Sequence, residues 1–297
     1  MARAMVLAAG LGTRLRPLSD EPPKPLVPVG DAPALAHVLR CLARAGFDEA
    51  VVNVHHRPEA FDESVRDALP LRIAVVHEPT LLGTGGGVAN ARRLGLLASG
   101  TVVVWNGDIL ADVDVGPLVD RVRGRVAGAM AVAPRLRGEG TVGVDRDGFV
   151  VRLRGRMFGD EARGGDFLGI QAIGEELAAR LPAQGCLVGD GYLPALDRGE
   201  QIAAIDAAGP WDDLGTVAAY LAANARWLAR RGVPSFTGPG VRVAASVELV
   251  GTVIGARAAV EGAGQLQRCV VWPGARAVAP LSDAVVTTAG AIVRASG

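Results

Sequence analysis

Residues 7–17 of the 297-residue chain read LAAGLGTRLRP, and residues 22–26 continue as PPKPL. The apolar run at residues 4–8 predicts a buried strand that passes directly into a loop containing Gly10 and Gly12. Glycines let several backbone N–H groups converge on one anion, and nearby cations can neutralise a polyphosphate. This stretch therefore predicts a phosphate-binding loop at the end of the first strand of an α/β domain.

Lys24 is the only lysine among 31 Lys and Arg residues. Because ammonium and guanidinium groups differ in shape and hydration, this lone lysine predicts a chemical role, with Arg14 as a second cation. Two familiar phosphate loops do not fit the segment. A Walker loop needs a lysine after its last glycine, where Thr13 follows Gly12, and a dinucleotide fingerprint needs glycine or alanine where Leu15 stands.

Outward from this loop, apolar runs alternate with helical patterns as far as about residue 125. Strands are predicted over residues 4–8, 50–54, 71–76 and 101–105, and helices over 34–45, 58–69 and 86–97. The alternation predicts a Rossmann-like, mainly parallel sheet flanked by helices, with its ligand crevice at the carboxyl ends of the strands. Between residues 128 and 173 strands follow one another without a long helix, which predicts a mixed or antiparallel extension. The remaining predicted elements are helices at 175–181, 187–198 and 217–231 and a strand at 201–206.

The chain changes character after Pro234. Apolar residues recur at every sixth position, namely Ile254, Val260, Leu266, Trp272 and Val278. Such a period is typical of a β-helix whose coils stack apolar positions inward, although Arg242 and Glu248 interrupt the register and a β-meander is the alternative. The sequence thus predicts two domains, 1–232 and 233–297, the second a short left-handed β-helix of hexapeptide-like repeats.

The composition excludes several classes of protein. The formal net charge is zero, with 49% apolar and 21% charged residues, so the chain is expected to fold and to bind neither nucleic acid nor a membrane surface. Residues 1–9 read as a strand rather than a signal peptide, and no apolar run reaches the roughly 18–20 residues that span a bilayer. Three widely spaced cysteines, Cys41, Cys186 and Cys269, predict a cytoplasmic protein without a disulfide framework or a metal cluster.

Three more motifs follow in order, namely LGTGGG at 82–87, WNGD at 105–108 and WDDLGT at 211–216. With the opening stretch, they resemble the signature of the sugar-1-phosphate nucleotidyltransferases, also called NDP-sugar pyrophosphorylases. The resemblance covers about residues 3–230. It implies Mg²⁺-dependent transfer from an NTP to a sugar 1-phosphate, which gives an NDP-sugar and pyrophosphate, and a place in nucleotide-sugar biosynthesis for cell-envelope polysaccharide.

Two branches of that family have similar motifs. One uses mannose 1-phosphate and GTP, and the other is the N-acetylmuramate-1-phosphate uridylyltransferase branch. The C-terminal repeat favours the guanylyltransferase branch, with GDP-mannose or GDP-heptose as product. UTP or dTTP remains the alternative, with N-acetylmuramate, glucose or another sugar 1-phosphate as acceptor.

The resemblance implies roles for the matching residues. Asp108 and Asp213 are expected to hold Mg²⁺, which prefers carboxylate oxygens, although either aspartate could instead cap a helix or a turn. Asp212 is the ambiguous neighbour, and the motif selects Asp213. Arg14 and Lys24 are expected on phosphates near the reacting centre. Nucleotide contacts are expected from Leu7, Ala8, Ala9, Gly10, Gly12, Thr13, Arg14, Lys24, Gly85, Gly86 and Asn106.

On the sugar side the sequence departs from the family pattern. Many relatives carry Glu-Lys-Pro, with the lysine on the sugar phosphate, whereas residues 152–156 read RLRGR here. Arg154 or Arg156 is expected to replace that lysine, a solvated arginine turn being the alternative. Gly143 and Gly169 are expected to approach the sugar.

Two other functions compete with this interpretation. Hexapeptide-repeat acyltransferases commonly use a histidine base in the β-helix, but no histidine follows His77. A non-catalytic paralogue that binds nucleotide sugars is the second alternative, and the retention of Arg14, Lys24, Asp108 and Asp213 argues against it. Exposed coil edges also predict a homo-oligomer.

Overall fold

The structure is a computed structural model that describes residues 2–295, so the outer ends of the predicted domains, at 1 and 297, lie outside the described residues. The chain divides into two compact units, each built from two separated segments. The first unit comprises Met1–Gly10 and Val38–Trp211, and the second comprises Leu11–His37 and Asp212–Gly297. These units follow packing contacts rather than chain position, and the predicted domain boundary after residue 232 stays a prediction.

The secondary structure is rich in short strands. In chain order the strands are β1 (Arg3–Leu7), β2 (Pro28–Val29), β3 (Ala32–Pro33), β4 (Glu49–Val54), β5 (Arg72–His77), β6 (Val102–Asn106), β7 (Ile109–Ala111), β8 (Val126–Arg135), β9 (Val142–Val144), β10 (Val150–Leu153), β11 (Arg156–Met157), β12 (Arg163–Ile173), β13 (Gln201–Asp206), β14 (Trp211–Asp213), β15 (Phe236–Thr237), β16 (Arg242–Val243), β17 (Val247–Val250), β18 (Val253–Ile254), β19 (Ala259–Gln267), β20 (Val270–Val271), β21 (Arg276–Ser282), β22 (Ala284–Val286) and β23 (Ile292–Arg294). The α-helices are α1 (Ala34–Arg44), α2 (Glu63–Asp67), α3 (Gly83–Arg93), α4 (Gly116–Arg121), α5 (Glu175–Ala179), α6 (Leu193–Asp197) and α7 (Val217–Arg231). Short 3₁₀ turns span Thr13–Leu15, Leu18–Asp20, Lys24–Leu26 and Pro58–Ala60, and a π-helix spans Leu187–Tyr192.

The first unit is built on a 10-stranded sheet in the order β11-β10-β9-β12-β6-β1-β4-β5, with β8 between β12 and β13. Strands β5, β4, β1 and β6 run parallel, as does the β8–β13 pair. Antiparallel pairs join β12 to β6, β8 and β9, and join β10 to β9 and β11. The predicted α/β sheet with a mixed extension is confirmed. The sheet is mixed rather than mainly parallel, because short links between β9, β10, β11 and β12 permit antiparallel pairing without a crossover helix.

The central strands of this sheet are buried, as expected for parallel strands covered on both faces. Met5, Val51, Val104 and Met130 belong to one apolar cluster in which each is less than 5% exposed. The carboxyl ends of β1, β4 and β6 therefore emerge from a buried apolar core. Among residues 2–295, no helix is both long enough and apolar enough to cross a membrane.

Most predicted elements agree with the structure, and the exceptions have local causes. The predicted helix at 58–69 is wrong as a single element, because Asp62 begins a separate helix by accepting the Val65 N–H at 2.9 Å. Helix α3 begins at Gly83, three residues before the predicted start. The helix predicted at 187–198 is a π-helix followed by α6, and α4 was not predicted.

The second unit contains stacked parallel strands. Phe236 pairs with Val253 and Val253 with Val270, an advance of 17 residues, whereas Val270 pairs with Val285 after 15. A parallel stack was predicted, but three strict hexads would advance the chain by about 18 residues. An advance of 17 residues is one short of three hexads. The prediction that Val278 points inward is therefore wrong, because Val278 is 62% exposed while Ala277 and Ala279 are buried.

Helix α7 and the β2–β3 hairpin belong to the same unit as this stack. Buried Trp272 of the stack donates its indole N–H to the Tyr220 hydroxyl at 3.0 Å, and that hydroxyl donates to the Pro28 carbonyl. Burial raises the pKa of the Tyr220 hydroxyl, so it stays protonated and able to donate. The segment after the glycine loop is thereby fixed to the C-terminal strands.

Candidate functional site

The ends of β1 and β6 bring several predicted residues together in the first unit. Leu7 lies opposite Asn106 in the parallel register, and the Gly107 N–H donates to the Leu7 carbonyl at 2.9 Å. Asp108, which directly follows Gly107, is half-buried. Ala8 follows β1 directly, and its N–H donates within the protein, to the Asn53 side chain at 2.9 Å. The motif predicted to bind the nucleotide and the motif that contains Asp108 thus share one edge of the sheet, as parallel strands require.

Gly169 of β12 lies at the same edge. A Cβ on this residue would stand 2.4 Å from the side-chain nitrogen of Asn106. The structure therefore places a residue predicted for the sugar directly beside one predicted for the nucleotide. Neither assigned role is tested by this proximity, and both remain predictions.

Gly85 and Gly86 lie in the first turns of α3 and face the segment at residues 183–187. Both N–H groups donate to the Gly185 carbonyl, at 2.9 and 3.2 Å. A Cβ on Gly86 would stand 2.7 Å from the Ala183 carbonyl oxygen. The sequence predicts that Gly85 and Gly86 contact the nucleotide, whereas the neighbours that the structure provides are protein atoms. A role against the base stays a prediction.

The second unit contains the rest of the glycine loop. Gly12 has φ +64°, a left-handed conformation that favours glycine, and its carbonyl accepts the Ser19 hydroxyl at 2.8 Å. Thr13 then begins a 3₁₀ turn that carries Arg14, and Lys24 begins another. The hydrogen bond between Ser19 and Gly12 therefore connects the two ends of residues 12–19.

Arg14, Lys24 and Asp213 converge within this unit. The Lys24 ammonium lies 3.9 Å from Asp213 Oδ1, and an Arg14 guanidinium nitrogen lies 4.0 Å from Oδ2. These separations are too long for hydrogen bonds, so the attraction is ionic. Lys24 is mostly buried, with 11% of its side chain exposed, whereas 69% of the Arg14 side chain is exposed.

Asp213 Oδ1 is shielded from solvent and has no hydrogen-bond partner among the residues that the structure describes. Buried carboxylate oxygens are normally satisfied, so this one can accept a further donor or a cation. A Cβ on Gly215 would stand 3.1 Å from both this oxygen and the Arg14 guanidinium, so glycine leaves space beside them. These features fit a hard divalent cation at Asp213. Within residues 2–295, no cluster of three or more His, Cys, Asp or Glu side chains forms a preassembled metal centre.

The structure also separates Asp213 from its neighbour Asp212. The Asp212 side chain is only 1% exposed and pairs with Arg226 and Arg230 of α7. Thr216, rather than either aspartate, caps α7 by accepting the Ala219 N–H at 3.2 Å. Asp212 therefore anchors the helix, and the helix-cap alternative for Asp213 is removed.

The two candidate sugar-phosphate arginines differ in their partners. Arg156 makes a two-point ion pair with Asp197, with N–O distances of 2.6 and 3.2 Å, and lies over the Phe158 ring. Arg154 has φ +49° and donates to Cys186 Sγ at 3.0 Å. The Arg156 guanidinium is thus already paired with a carboxylate, whereas the Arg154 guanidinium donates to a sulfur atom, which is a weaker acceptor.

Cys186 lies directly before the π-helix. Burial opposes ionisation of the thiol, but hydrogen bonds from the Gly189 and Val188 amides and from Thr84, with the charge of Arg154, lower its pKa overall. Gly143, the other glycine predicted to approach the sugar, lies beside Glu161. A Cβ on Gly143 would stand 2.5 Å from a Glu161 oxygen.

Sequence reasoning missed the pair formed by Arg152 and Glu161. The Arg152 Nε donates to Glu161 at 2.7 Å, and other guanidinium N–H groups reach the carbonyls of Glu139, Gly140 and Val142. The hydrogen bond from Arg152 holds the pKa of Glu161 below its usual value, although burial opposes this shift. The sequence shows that Arg152 is charged, but it does not predict its partners. Glu139, Gly140 and Glu161 lie in loops and Val142 lies in β9, and no motif connects them.

A second missed network joins Asn53 to Glu78. Both residues are buried, Asn53 near the end of β4 and Glu78 directly after β5. The available signal was a polar residue at the end of an apolar parallel strand, where ligand sites concentrate.

The fold, a mixed α/β sheet with helices, is shared by a solved structure. The crystal structure of HddC from Yersinia pseudotuberculosis matches 76% of this chain and 100% of its own with a TM-score of 0.64. The sequence identity is 21%, so this likeness establishes the fold alone.

The family follows from sequence comparison. Residues 3–144 match the family described as nucleotidyl transferase, which confirms the predicted resemblance. The chain is 42% identical over 119 residues to the mannose-1-phosphate guanylyltransferase of Mycobacterium tuberculosis, covering 39% of this chain and 33% of that protein. It is 30% identical over 252 residues to the UTP–glucose-1-phosphate uridylyltransferase of Synechocystis, covering 78% and 63%. The matched region is thus one third to somewhat under two thirds of these relatives' lengths.

Proposed function

We propose that the chain catalyses transfer of a nucleoside monophosphate from an NTP to a sugar 1-phosphate, releasing pyrophosphate. The observation that carries the proposal is the convergence of Arg14 and Lys24 on Asp213, whose Oδ1 has no hydrogen-bond partner among the described residues. Two cations beside an incompletely satisfied carboxylate suit a triphosphate and its metal ion.

The chemistry makes few demands beyond charge and position. An oxygen of the sugar phosphate forms a bond to the α-phosphorus of the NTP, and the bond to the pyrophosphate oxygen breaks. Because the second pKa of a phosphomonoester is about 6, the attacking group is already largely ionised at neutral pH. No general base is required, so cations and backbone donors account for most of the rate enhancement.

Exposure separates the roles of the two cations. Lys24 is mostly buried and places a point charge near the reacting phosphate. Arg14 is more exposed and binds the β- and γ-phosphates while pyrophosphate leaves. Asp108 and Asp213 are the proposed Mg²⁺ ligands, as the motifs imply. Mg²⁺ bound there would offset negative charge on the phosphate oxygens.

GTP and mannose 1-phosphate, or a related heptose 1-phosphate, are the proposed substrates. Support comes from the guanylyltransferase relative and from the HddC structure described as complexed with GMP-PN. A uridylyltransferase is the second candidate, because the Synechocystis relative that matches most of this chain carries that name. Arg154 is the proposed cation for the sugar phosphate, since Arg156 is already paired with Asp197.

The test is pyrophosphate release with Mg²⁺ across GTP, UTP, dTTP, ATP and CTP, each against a panel of sugar 1-phosphates. We expect release to require one matched pair, with GTP and mannose or heptose 1-phosphate the fastest. Maximal release with UTP or dTTP would replace the guanylyl assignment but keep the class. Binding of nucleotide without turnover of any pair would favour the non-catalytic paralogue, and absence of nucleotide binding would refute the proposal.

We also propose that the C-terminal strands form a left-handed β-helix of hexapeptide-like repeats that supports self-association of a cytoplasmic enzyme. The parallel pairing of β15, β18, β20 and β22 supports the stack, and unpaired strand edges favour association. Light scattering after size exclusion tests it, because a monomer at micromolar concentration would contradict self-association.

A further inference from the structure

The segment that leaves β1 and the start of the glycine-rich helix α3 are connected by two buried side chains. Asn53 accepts the Ala8 N–H through Oδ1 at 2.9 Å and donates through Nδ2 to Glu78 Oε1 at 2.8 Å. The second oxygen of Glu78 accepts the Leu82 N–H at 3.3 Å. One continuous chain of hydrogen bonds therefore runs from the first motif to the residue before Gly83.

The direction of every bond in this chain is determined. Because the Ala8 N–H is a donor, the oxygen of the Asn53 amide must face it, and the NH₂ group must face Glu78. Glu78 thus meets two donors, one at each of its carboxyl oxygens. Asn53 and Glu78 are 2% and 1% exposed, so water is a poor substitute for any lost partner.

The neighbouring backbone leaves room for this network. A Cβ on Gly87 of α3 would stand 2.7 Å from Asn53 Nδ2 and 3.0 Å from Glu78 Oε1. The last glycine of the LGTGGG motif is therefore required by close approach to the amide–carboxylate pair. The Glu78 backbone is fixed as well, since its N–H donates to the Val54 carbonyl at 2.7 Å.

We infer that Asn53 and Glu78 are positioning residues that fix the Ala8–Gly10 segment and the start of α3 relative to each other, in the arrangement in which both bind the NTP. This inference rests on the proposed function, because both segments carry predicted nucleotide contacts. The two side chains act through backbone groups and do not themselves contact the reacting atoms. Their loss should weaken nucleotide binding more than it slows turnover at saturation.

A reciprocal exchange tests the network. In Glu78→Gln, one of the two donors faces the amide NH₂ instead of an oxygen, and in Asn53→Asp two carboxylates face each other. In the double variant, the carboxylate introduced at position 53 accepts both the Ala8 N–H and the NH₂ of the amide introduced at position 78. The oxygen of that amide then accepts the Leu82 N–H. All three hydrogen bonds return with the middle one reversed, and the net charge equals that of the wild type.

We expect each single variant to raise the Kd and KM for the NTP by about tenfold, and the double variant to return within about threefold of the wild type. Hydrogen exchange should be faster in residues 7–10 and 82–87 of each single variant and be restored in the double variant. The matched control is Glu248→Gln, which alters an exposed glutamate that accepts from the Gln265 amide at 3.0 Å in the other unit. It should change none of these measurements.

The two readouts separate this inference from the proposed function. If the wild type binds no NTP, the proposed function fails, and the exchange data still show whether the two side chains hold the two segments. If the wild type binds NTP and the folded single variants bind equally well, the positioning role is wrong. A double variant no better than the poorer single variant would also overturn it, because a merely destabilised fold would not recover by exchange of amide and carboxylate.

Discussion

Each of the two compact units contains a carboxyl group with an oxygen shielded from solvent, Glu78 in the first unit and Asp213, whose side chain is otherwise 41% exposed, in the second, and the surroundings of these two groups differ. In the first unit, Glu78 is 1% exposed and both of its oxygens accept N–H groups of the protein. In the second unit, Asp213 Oδ1 has no hydrogen-bond partner among the described residues, while Lys24 and Arg14 stand 3.9 and 4.0 Å from the carboxylate. A satisfied carboxylate fixes the backbone without any ligand, whereas an unsatisfied one has capacity left for a ligand. This contrast supports the positioning role proposed for Glu78 and the ligand-binding role proposed for Asp213.

Asp213→Asn gives the largest expected effect. The amide is a much poorer Mg²⁺ ligand and presents a donor to two cations, so turnover should fall by about 1,000-fold. Pyrophosphate release over a Mg²⁺ titration measures the loss, and circular dichroism should show an unchanged fold. Asp212→Asn is not a suitable control, because that carboxylate anchors Arg226 and Arg230.

Asp283→Asn is the appropriate control for the aspartate substitution, since Asp283 is exposed, pairs with Arg268 and has no predicted role in the site. Its turnover should stay within about twofold of the wild type. Full activity of Asp213→Asn at saturating Mg²⁺ would contradict the proposal that Asp213, unlike Glu78, binds a ligand.

Lys24→Arg is expected to cost about 100-fold in kcat, even though it conserves charge. A compact ammonium is replaced by a planar, larger group at a position where only 11% of the side chain is exposed. Arg14→Lys, at the more exposed position, should cost about tenfold. Steady-state kinetics on both variants measures the ratio, and equal losses would show that the two cations share one role.

Glu161→Gln extends the comparison to stability. Glu161 is satisfied by Arg152 and by the Gly138 N–H at 2.7 Å, so its replacement should lower the free energy of unfolding by about 2 kcal/mol at pH 7. The hydrogen bond from Arg152 lowers the pKa of Glu161, so the contribution is complete above about pH 4.5 and is lost as the pH falls through the lower folded value. Urea unfolding from pH 7 to pH 3 should show the difference from the wild type shrinking. A constant difference would mean that the Glu161 charge does not stabilise the fold.

The contrast between the units also explains what the sequence could predict. Elements with a clear period, such as α7 and the parallel strands β1, β4, β5 and β6, were predicted within one or two residues because burial dictates their pattern. Asp213 was preferred to Asp212 by motif alone, and its role as a metal ligand stays a prediction. The structure pairs Asp212 with Arg226 and Arg230, and it leaves Asp213 Oδ1 without a hydrogen-bond partner among the described residues. The Asn53–Glu78 and Arg152–Glu161 networks were missed, because each depends on residues brought together from separate loops or strand ends, and sequence spacing does not encode those contacts.

The C-terminal strands show the limit of a periodic argument. Ile254, Val260, Leu266 and Trp272 are buried as predicted, but Val278 is exposed because the strand that pairs with Val260 does so through Ala277, 17 residues on instead of about 18. A one-residue slip exchanges the inward and outward faces of a strand, so an error that is small in length reverses the burial of a side chain.

The smallest expected effect separates the two arginines of the RLRGR segment. Arg154→Ala should raise the KM for the sugar 1-phosphate by about tenfold, since its guanidinium donates to Cys186 and has donors left for a phosphate. Arg156→Ala should change that KM by less than about twofold, because the two-point pair with Asp197 already engages its guanidinium. The KM for the NTP is the internal control and should stay constant in both variants. A larger effect at Arg156 would show that its ion pair opens for the substrate, and it would transfer the sugar-phosphate role from Arg154 to Arg156.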